Sequence, residues 1–316
     1  MSDLPNKTTV VGAGDIGAGW AALLVAAGWP VSLYDTDARR MDAAMEQVPQ
    51  RARALIDLQR ATPGTVDRGI REFSHAHSIL QACKGADWVI EATSEDLMAK
   101  QKVFQSLDEV AEPHAIITSS SSGLKIEDIA ARCRNQGRCL VAHPLNPPEL
   151  IPLVELIPGR IATPEAVAQA QTYLRALGRI PITLKKSVPG HVVGRIAAAV
   201  WRESIQLVLD GVVDVGDLDR AISLGPALGW AAAGPHLSYH LAAGQGGVRG
   251  FLQQLMQSFE TWWGGLAKWD KLDFEQQQAL VQAIERSYHD NIGKIRAARD
   301  RRLSAIVRAL EEARSV

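Results

Sequence analysis

Three stretches of the sequence carry side chains whose types could do chemistry together. Thr118-Ser119-Ser120-Ser121-Ser122-Gly123-Leu124 follows one apolar run, and His143-Pro144-Leu145-Asn146-Pro147-Pro148 follows the next. Glu155 lies twelve positions beyond His143, inside Leu153-Val154-Glu155-Leu156. If these runs are neighbouring strands of one sheet, a hydroxyl, an imidazole and a carboxylate converge at its edge on one small substrate. A fourth stretch, Gly12-Ala13-Gly14-Asp15-Ile16-Gly17, offers a place for phosphates. The three-glycine pattern alone is weak evidence and could be a tight turn that binds nothing. Here it lies between a strand signal and a helix signal, and Asp35 ends the next strand eighteen positions after Gly17. That is the context a dinucleotide fingerprint requires. Gly12 makes the turn, Gly14 lets backbone approach a pyrophosphate, and Gly17 lets helix and sheet pack. The first N–H groups of the helix, Asp15 and Ile16 included, face the phosphates. Asp35 would accept from ribose hydroxyls and repel a 2′-phosphate, which predicts NAD rather than NADP.

The elements that must position these residues alternate. Strand signals at Lys7 to Val11, Val31 to Tyr34, Trp88 to Glu91, Ala115 to Ser119, Arg138 to Ala142, Leu153 to Ile157 and Ile180 to Leu184 are separated by helical stretches such as Ile16 to Ala27, Ala38 to Arg60, Leu97 to Ala111 and Pro164 to Leu177. Alternation of this kind predicts a parallel sheet covered on both faces. After Ser187 the pattern changes to helix alone, beginning with a long apolar run from Val192 to Leu209. The expected architecture is an α/β Rossmann-type doubly wound sheet over residues 1–187, then an all-α C-terminal domain over 188–316.

Composition narrows the function classes. The 316 residues are 47% hydrophobic and 22% charged, with Lys+Arg 34 against Asp+Glu 35. Disordered, fibrous and disulfide-scaffold classes are excluded, and no basic excess calls for nucleic acid or an anionic membrane surface. No apolar run approaches the ~18 residues of a membrane span. The sequence begins on a strand pattern with no room for a signal peptide. Cys83, Cys133 and Cys139 are odd in number and lack metal-ligand spacing, so they read as reduced thiols of a cytoplasmic protein with no metal site.

The ordered set of motifs resembles the L-3-hydroxyacyl-CoA dehydrogenase superfamily. The likeness spans the glycine loop, Glu91-Ala92-Thr93-Ser94-Glu95, the serine run, the His-x-x-Asn-Pro motif, the distant Glu155 and the helical second half. The run from His143 to Glu155, with Gly225 to Trp230 and Tyr239 to Gly244, is most similar to the branch that oxidises free 3-hydroxy acids such as carnitine and gulonate. The resemblance implies His143 as general base, Glu155 as the carboxylate that orients it, and Ser122 (with Ser121 as its rival) bonded to the substrate oxygen. It also implies that Asn146 steadies nicotinamide and base, and that Glu95 and Lys100 lie near the nicotinamide ribose. The alternatives are a short-chain 3-hydroxyacyl-CoA dehydrogenase and, of another class, a non-catalytic NAD-binding structural protein.

Two departures from the family bear on substrate. Where the acyl-CoA enzymes carry an Asn before an Arg, this chain has Gly194-Arg195, and the nearby His191 reads as a packed helix-start residue. The segment from Ala38 to Phe73 is short and holds arginines but no lysine, which favours a small acid over a CoA thioester. Five of the eight tryptophans follow residue 187. Trp230 and Tyr239 could face a quaternary ammonium group and Arg249 a carboxylate, although large aromatics more commonly fill cores and interfaces. The apolar helix from Val192 has too little polar face to stand alone, so a homodimer through the helical domain is expected.

Overall fold

Thr8–Val11 (β1) is an uninterrupted buried run, as a central parallel strand needs. The structure, a computed structural model, describes residues 4–314. The first half continues through α1 (Asp15–Ala26), β2 (Val31–Tyr34), α2 (Ala38–Asp57), α3 (Pro63–Arg71), β3 (Phe73–His75), α4 (Ile79–Cys83), β4 (Trp88–Glu91), α5 (Leu97–Val110), β5 (Ile116–Ser119), α6 (Ile126–Ile129), β6 (Cys139–Pro144), β7 (Leu153–Ile157), α7 (Pro164–Ala176) and β8 (Ile180–Thr183). The strands form one sheet in the order β3-β2-β1-β4-β5-β6-β7-β8. One buried cluster packs α1, α2 and α7 on one face, and a second packs α4, α5 and α6 on the other. This is the doubly wound Rossmann-type arrangement.

The sheet corrects the expectation of all-parallel pairing: β6 and β7 run antiparallel. An apolar strand of this length carries no mark of its direction, so the sequence could not show it. The reversal matters because His143 and Glu155 become direct partners across the ladder, on the same face. The strand β3 is a further addition, three residues with half-exposed Phe73 at the sheet edge. The helix expected from Ala38 to Arg60 stops at Asp57, and α3 follows under a Thr62 capping box.

The core below the serine run is aromatic. Trp20 and Trp88 meet edge to face at 6.0 Å between centroids, and Tyr173 lies 5.7 Å from Trp88. Each indole N–H is satisfied by the strand above: Trp20 Nε1 donates to Ser120 Oγ at 3.1 Å and Trp88 Nε1 to Thr118 Oγ1 at 2.9 Å. Large, stiff side chains thereby anchor the end of β5 from beneath.

By internal contacts the chain divides into two units. One ends at Gly194 and takes in Asp300–Val307; the other is Arg195–Arg299 with the residues from Arg308 on. The second half comprises α8 (Val193–Leu209), α9 (Val215–Leu224), α10 (Pro226–Ala242), α11 (Gly247–Gly265), α12 (Phe274–Ser287) and α13 (Ile292–Arg314). Among the described residues no strand follows β8. Helix α10 is broken at Gly234, whose φ of 72° precedes Pro235, a proline that removes a helical donor. Tyr239, Phe251 and Phe259 form the unit's aromatic centre, with the exposed Trp262 against its edge. No described helix is long and apolar enough to cross a membrane.

Candidate active site

The carboxyl ends of the central strands hold a cleft of about 580 Å³ lined by Gly12, Gly14, Asp15, Ile16, Asp35, Thr93 and Ser94, among others. The glycine loop fits a dinucleotide for steric reasons. A Cβ on Gly12, at φ +106°, would stand 2.4 Å from the Ala92 carbonyl oxygen, and one on Gly17 would stand 1.8 Å from that of Gly12. A Cβ on Gly14 would meet nothing within 4 Å, so the loop is tight against the protein and open on its outer side. Helix α1 begins at Asp15 with no side-chain cap from Gly14, which leaves its first N–H groups for an anion. Asp35 Oδ2 accepts from Ala13 N at 2.7 Å and Oδ1 from Asp37 N at 2.9 Å. Each oxygen keeps a further lone pair for a ribose hydroxyl, and the loop holds the carboxylate in place for it.

From β2, which ends beside Asp35, the strand order runs through β1 and β4 to β5 and β6. Four strand spacings of roughly 4.8 Å, about 19 Å in all, separate Asp35 from His143. The serine turn stands between them.

Glu155 is fully buried and has three partners. Oε2 lies 2.9 Å from His143 Nδ1, while Oε1 accepts from Val192 N at 2.9 Å and Val193 N at 3.1 Å. The two N–H groups open α8, so a helix N-terminus and its dipole sustain the buried negative charge. The carboxylate accepts, so Nδ1 of His143 carries the hydrogen and Nε2 is the nitrogen left to exchange a proton.

The serine turn is held by Glu95. Its Oε1 accepts from Ser121 Oγ at 2.6 Å, Ser122 N at 3.0 Å and Gly123 N at 3.2 Å. Ser121 is buried, and its hydroxyl also accepts from Leu124 N at 2.9 Å. Ser122 stays exposed, with Oγ 3.3 Å from the same Glu95 oxygen. Of the two rivals, Ser121 builds the turn and Ser122 presents a hydroxyl. Burial pushes the Glu95 carboxyl up, but the Ser121 hydroxyl, the Lys100 ammonium and the two backbone N–H groups outweigh it and hold it below the usual carboxylate range.

Other expected residues stand elsewhere. Lys100 is buried and faces Glu91, at 2.8 Å, and the Thr93 carbonyl, at 3.2 Å; it does not line the cleft. Asn146 is exposed at the cis Asn146–Pro147 bond and makes no hydrogen bond to His143 among the described residues. In the helical unit, Tyr239 packs on Phe251 at 4.9 Å, Trp230 is half-buried and Arg249 exposed. Sequence reasoning gave no role to Ser119, Thr93 or the backbone of Val192 and Val193. Glu91 and Thr93 were visible only as part of a family segment. Their one signal is an acid closing an apolar strand, Trp88-Val89-Ile90-Glu91.

Comparison with known proteins agrees with this geometry. Residues 7–187 match the family model of the 3-hydroxyacyl-CoA dehydrogenase NAD binding domain, and residues 190–283 match that of the 3-hydroxyacyl-CoA dehydrogenase C-terminal domain. The chain is 33% identical to an L-carnitine dehydrogenase of Bacillus cereus over 309 residues, covering 97% of this chain and 93% of that protein. It is 31% identical to the L-carnitine dehydrogenase/betainyl-CoA thioesterase of Ruegeria pomeroyi, over 97% of this chain but only 62% of that longer protein. Among solved structures, a 5-formyl-3-hydroxy-2-methylpyridine 4-carboxylic acid 5-dehydrogenase, described as an NAD+ dependent dismutase, superposes with a TM-score of 0.82. It is 28% identical, over 97% of this chain and 98% of that one.

Proposed function

The chain belongs to the 3-hydroxyacyl-CoA dehydrogenase family, and from that premise we propose that it oxidises the 3-hydroxyl of a small L-3-hydroxy acid, carnitine-like or gulonate-like, to the 3-oxo acid. The observation that carries this reading is the His143–Glu155 pair, 2.9 Å apart, across the strand ladder and beyond the dinucleotide cleft. NAD, when bound by the glycine loop and Asp35, supplies the hydride acceptor. His143 Nε2 takes the proton released from the C3 hydroxyl. Glu155 keeps the Nδ1–H tautomer and stabilises the imidazolium that forms. Ser122 Oγ donates to the substrate oxygen and orients it toward the base.

A small acid is favoured over a thioester because Arg51 and Arg68, two of the arginines between Ala38 and Phe73 that might clamp CoA phosphates, are engaged within the protein. Arg51 Nε lies 2.7 Å from Glu149 Oε1, and Arg68 Nε donates to the Gly28 carbonyl at 3.1 Å. Trp230, Tyr239 and Arg249 stand in the same reading as substrate-side residues of the helical domain, and Asn146 as a support for the nicotinamide. The domain boundary is placed at Ser187. The protein works in the cytoplasm, in keeping with its three free buried cysteines, and as a homodimer. Large exposed apolar side chains on the helical unit, including Trp201 at 61% and Trp262 at 58%, support the dimer.

NADH formation with L-carnitine, L-gulonate, 3-hydroxybutyrate and 3-hydroxybutyryl-CoA tests the substrate. Turnover of the free acids well above the thioester is expected; activity on the thioester alone would reverse the reading. The high structural similarity to the pyridine dehydrogenase favours a second reading, an aromatic formyl acid, which joins the same panel. Sedimentation velocity tests the dimer, and a monomer at micromolar concentration would exclude it.

A further inference from the structure

The turn that leads into α8 contains a residue without a part in the chemistry above. At Pro189-Gly190-His191 the chain reverses with φ +73° at Gly190 and +50° at His191. The left-handed region is uncommon for a side chain with a Cβ, and such conformations persist where the surroundings enforce them. Here the conformation has two results. It aims the N–H groups of Val192 and Val193 at Glu155, and it places the His191 ring in the interior, 0% exposed. His191 Nε2 lies 3.1 Å from the Ser121 carbonyl oxygen. Its ring centroid is 5.4 Å from that of His143, with the planes inclined at 55°.

The tautomer follows from the partners. A carbonyl oxygen only accepts, so Nε2 carries the hydrogen. Nδ1 is buried without a partner, and a proton placed there would have no acceptor beside a base that must itself become positive. The groups that face the ring are His143 on β6, Glu155 on β7, Glu95 after β4, and the Ser121 carbonyl. Burial above all, aided by His143, holds His191 below the ordinary imidazole range against the opposing pull of the carbonyl and the two carboxylates. The ring is therefore a neutral, fixed donor, unlike its neighbour.

We propose that His191 is a positioning residue of the reaction: its Nε2–H, held on the Ser121 carbonyl, sets the spacing between the serine turn and the His143 ring. Glu95 grips the turn from one side through Ser121 Oγ and the N–H groups of Ser122 and Gly123, and His191 grips it from the other. With both in place, the Ser122 hydroxyl and His143 Nε2 address one substrate oxygen. Without His191 the Ser121 carbonyl loses this bond; Glu95 and the Trp20–Ser120 contact still hold the turn, but its spacing to the His143 ring is no longer set and the two groups fall out of step. A displacement of about 1 Å in such an arrangement lowers rates by roughly 10²-fold. The inference rests on the proposed dehydrogenase reading, with His143 as base.

The test compares His191→Asn, His191→Gln and His143→Gln, using the 3-hydroxy acid of the panel that turns over fastest. Asparagine tolerates the left-handed backbone but its amide ends short of the carbonyl; glutamine reaches it. His191→Asn should lower kcat by at least about tenfold with the Kd for NADH within about twofold, and His191→Gln should recover to within about threefold of the native rate. The acid midpoint of kcat/KM should stay where it is in both, because the residue is neutral throughout. In 15N spectra of histidine-labelled protein, a neutral Nε2–H ring that disappears in His191→Gln should resist protonation below the range of an ordinary imidazole. Native kcat in His191→Asn, a His191→Gln enzyme as slow as His191→Asn, or an Nδ1–H ring at this position would each overturn the inference. If His143→Gln turns over at the native rate, the reading beneath it fails as well; if His143→Gln is inactive while His191→Asn is unaffected, this inference alone fails.

Discussion

Two buried carboxylates stand at the carboxyl end of the same sheet, and each faces its partner across a strand pair. Glu91 is opposite Ser119 and Glu155 is opposite His143. Both have 0% exposure, and both are fully engaged. Glu91 accepts from Thr93 N at 2.7 Å, Thr93 Oγ1 at 2.6 Å, Lys100 Nζ at 2.8 Å and Ser119 Oγ at 2.6 Å. The difference lies in what balances the charge. Glu91 is matched by Lys100, which is itself buried and also lies 3.6 Å from Glu95 Oε2, and the bonds of Glu91 are all internal. Glu155 is matched by two backbone N–H groups and an imidazole whose charge can change. A carboxylate locked to a lysine can only hold the backbone in place. The other, which backs a titratable ring, can stabilise a positive charge that comes and goes. The same acid, in the same kind of position, is scaffold in one place and, in the proposed reaction, machinery in the other.

Substitutions should separate the two. The largest effect is expected for His143→Ala, with a fall in kcat of ~10²–10⁴-fold and little change in Tm; a large loss of Tm would make this pair a scaffold too. Lys100→Met should act chiefly on stability, with a smaller loss of kcat through Glu95, which the lysine also faces at 3.6 Å. Removing one partner of a buried pair leaves an uncompensated charge and costs about 3–5 kcal/mol, read as a Tm lower by roughly 10 °C. A thermally unaffected variant would break the comparison at its scaffold end.

Glu155→Gln keeps the shape but loses the charge that favours the imidazolium. We expect kcat to fall about 10²-fold with the Km for NAD unchanged, as initial rates would show. Asp35→Ala lies outside both pairs. It should raise the Km for NAD on the order of tenfold and narrow the preference over NADP, without altering kcat for the acid.

The smallest effect concerns Glu95, whose carboxyl is held below its usual range. A depressed acid contributes stability that is complete above its unfolded value of about 4.3. That contribution is lost as pH falls through the lower folded value. The amide resonances of Ser122 and Gly123 should therefore stay constant above about pH 4.3 and move only below it. Movement at higher pH would mean the turn is held by something else.

Much of this arrangement could be read from the chain. The glycine loop, the helix after it and Asp35 form a local pattern whose physical reasons are all within thirty residues, and the strand–helix alternation is periodic. The direction of β7 was not legible, because Leu-Val-Glu-Leu-Ile, an acid with two apolar residues on each side, reads the same both ways. The Lys100 pairing was hidden for another reason. In Leu97-Met98-Ala99-Lys100-Gln101-Lys102 it looks like one of two solvated lysines, and only the fold turns it inward. His191 was read as a packed helix-start residue, and it is packed. Its contact with His143 spans 48 positions of sequence and depends on a backbone conformation that no residue type announces. Local rules found the glycine loop; long-range pairing made the proposed acid–base pair.

The antiparallel meeting of β6 and β7 has a consequence for how such a chain can vary. The distance from imidazole to carboxylate is fixed by the gap between neighbouring strands, as by a ruler, and owes nothing to the length of the connection from residue 145 to 152. A change of length there would leave the pair itself in place so long as the ladder keeps its phase. A slip of a single residue in β7 would swing the acid to the opposite face of the sheet and silence the base without touching it.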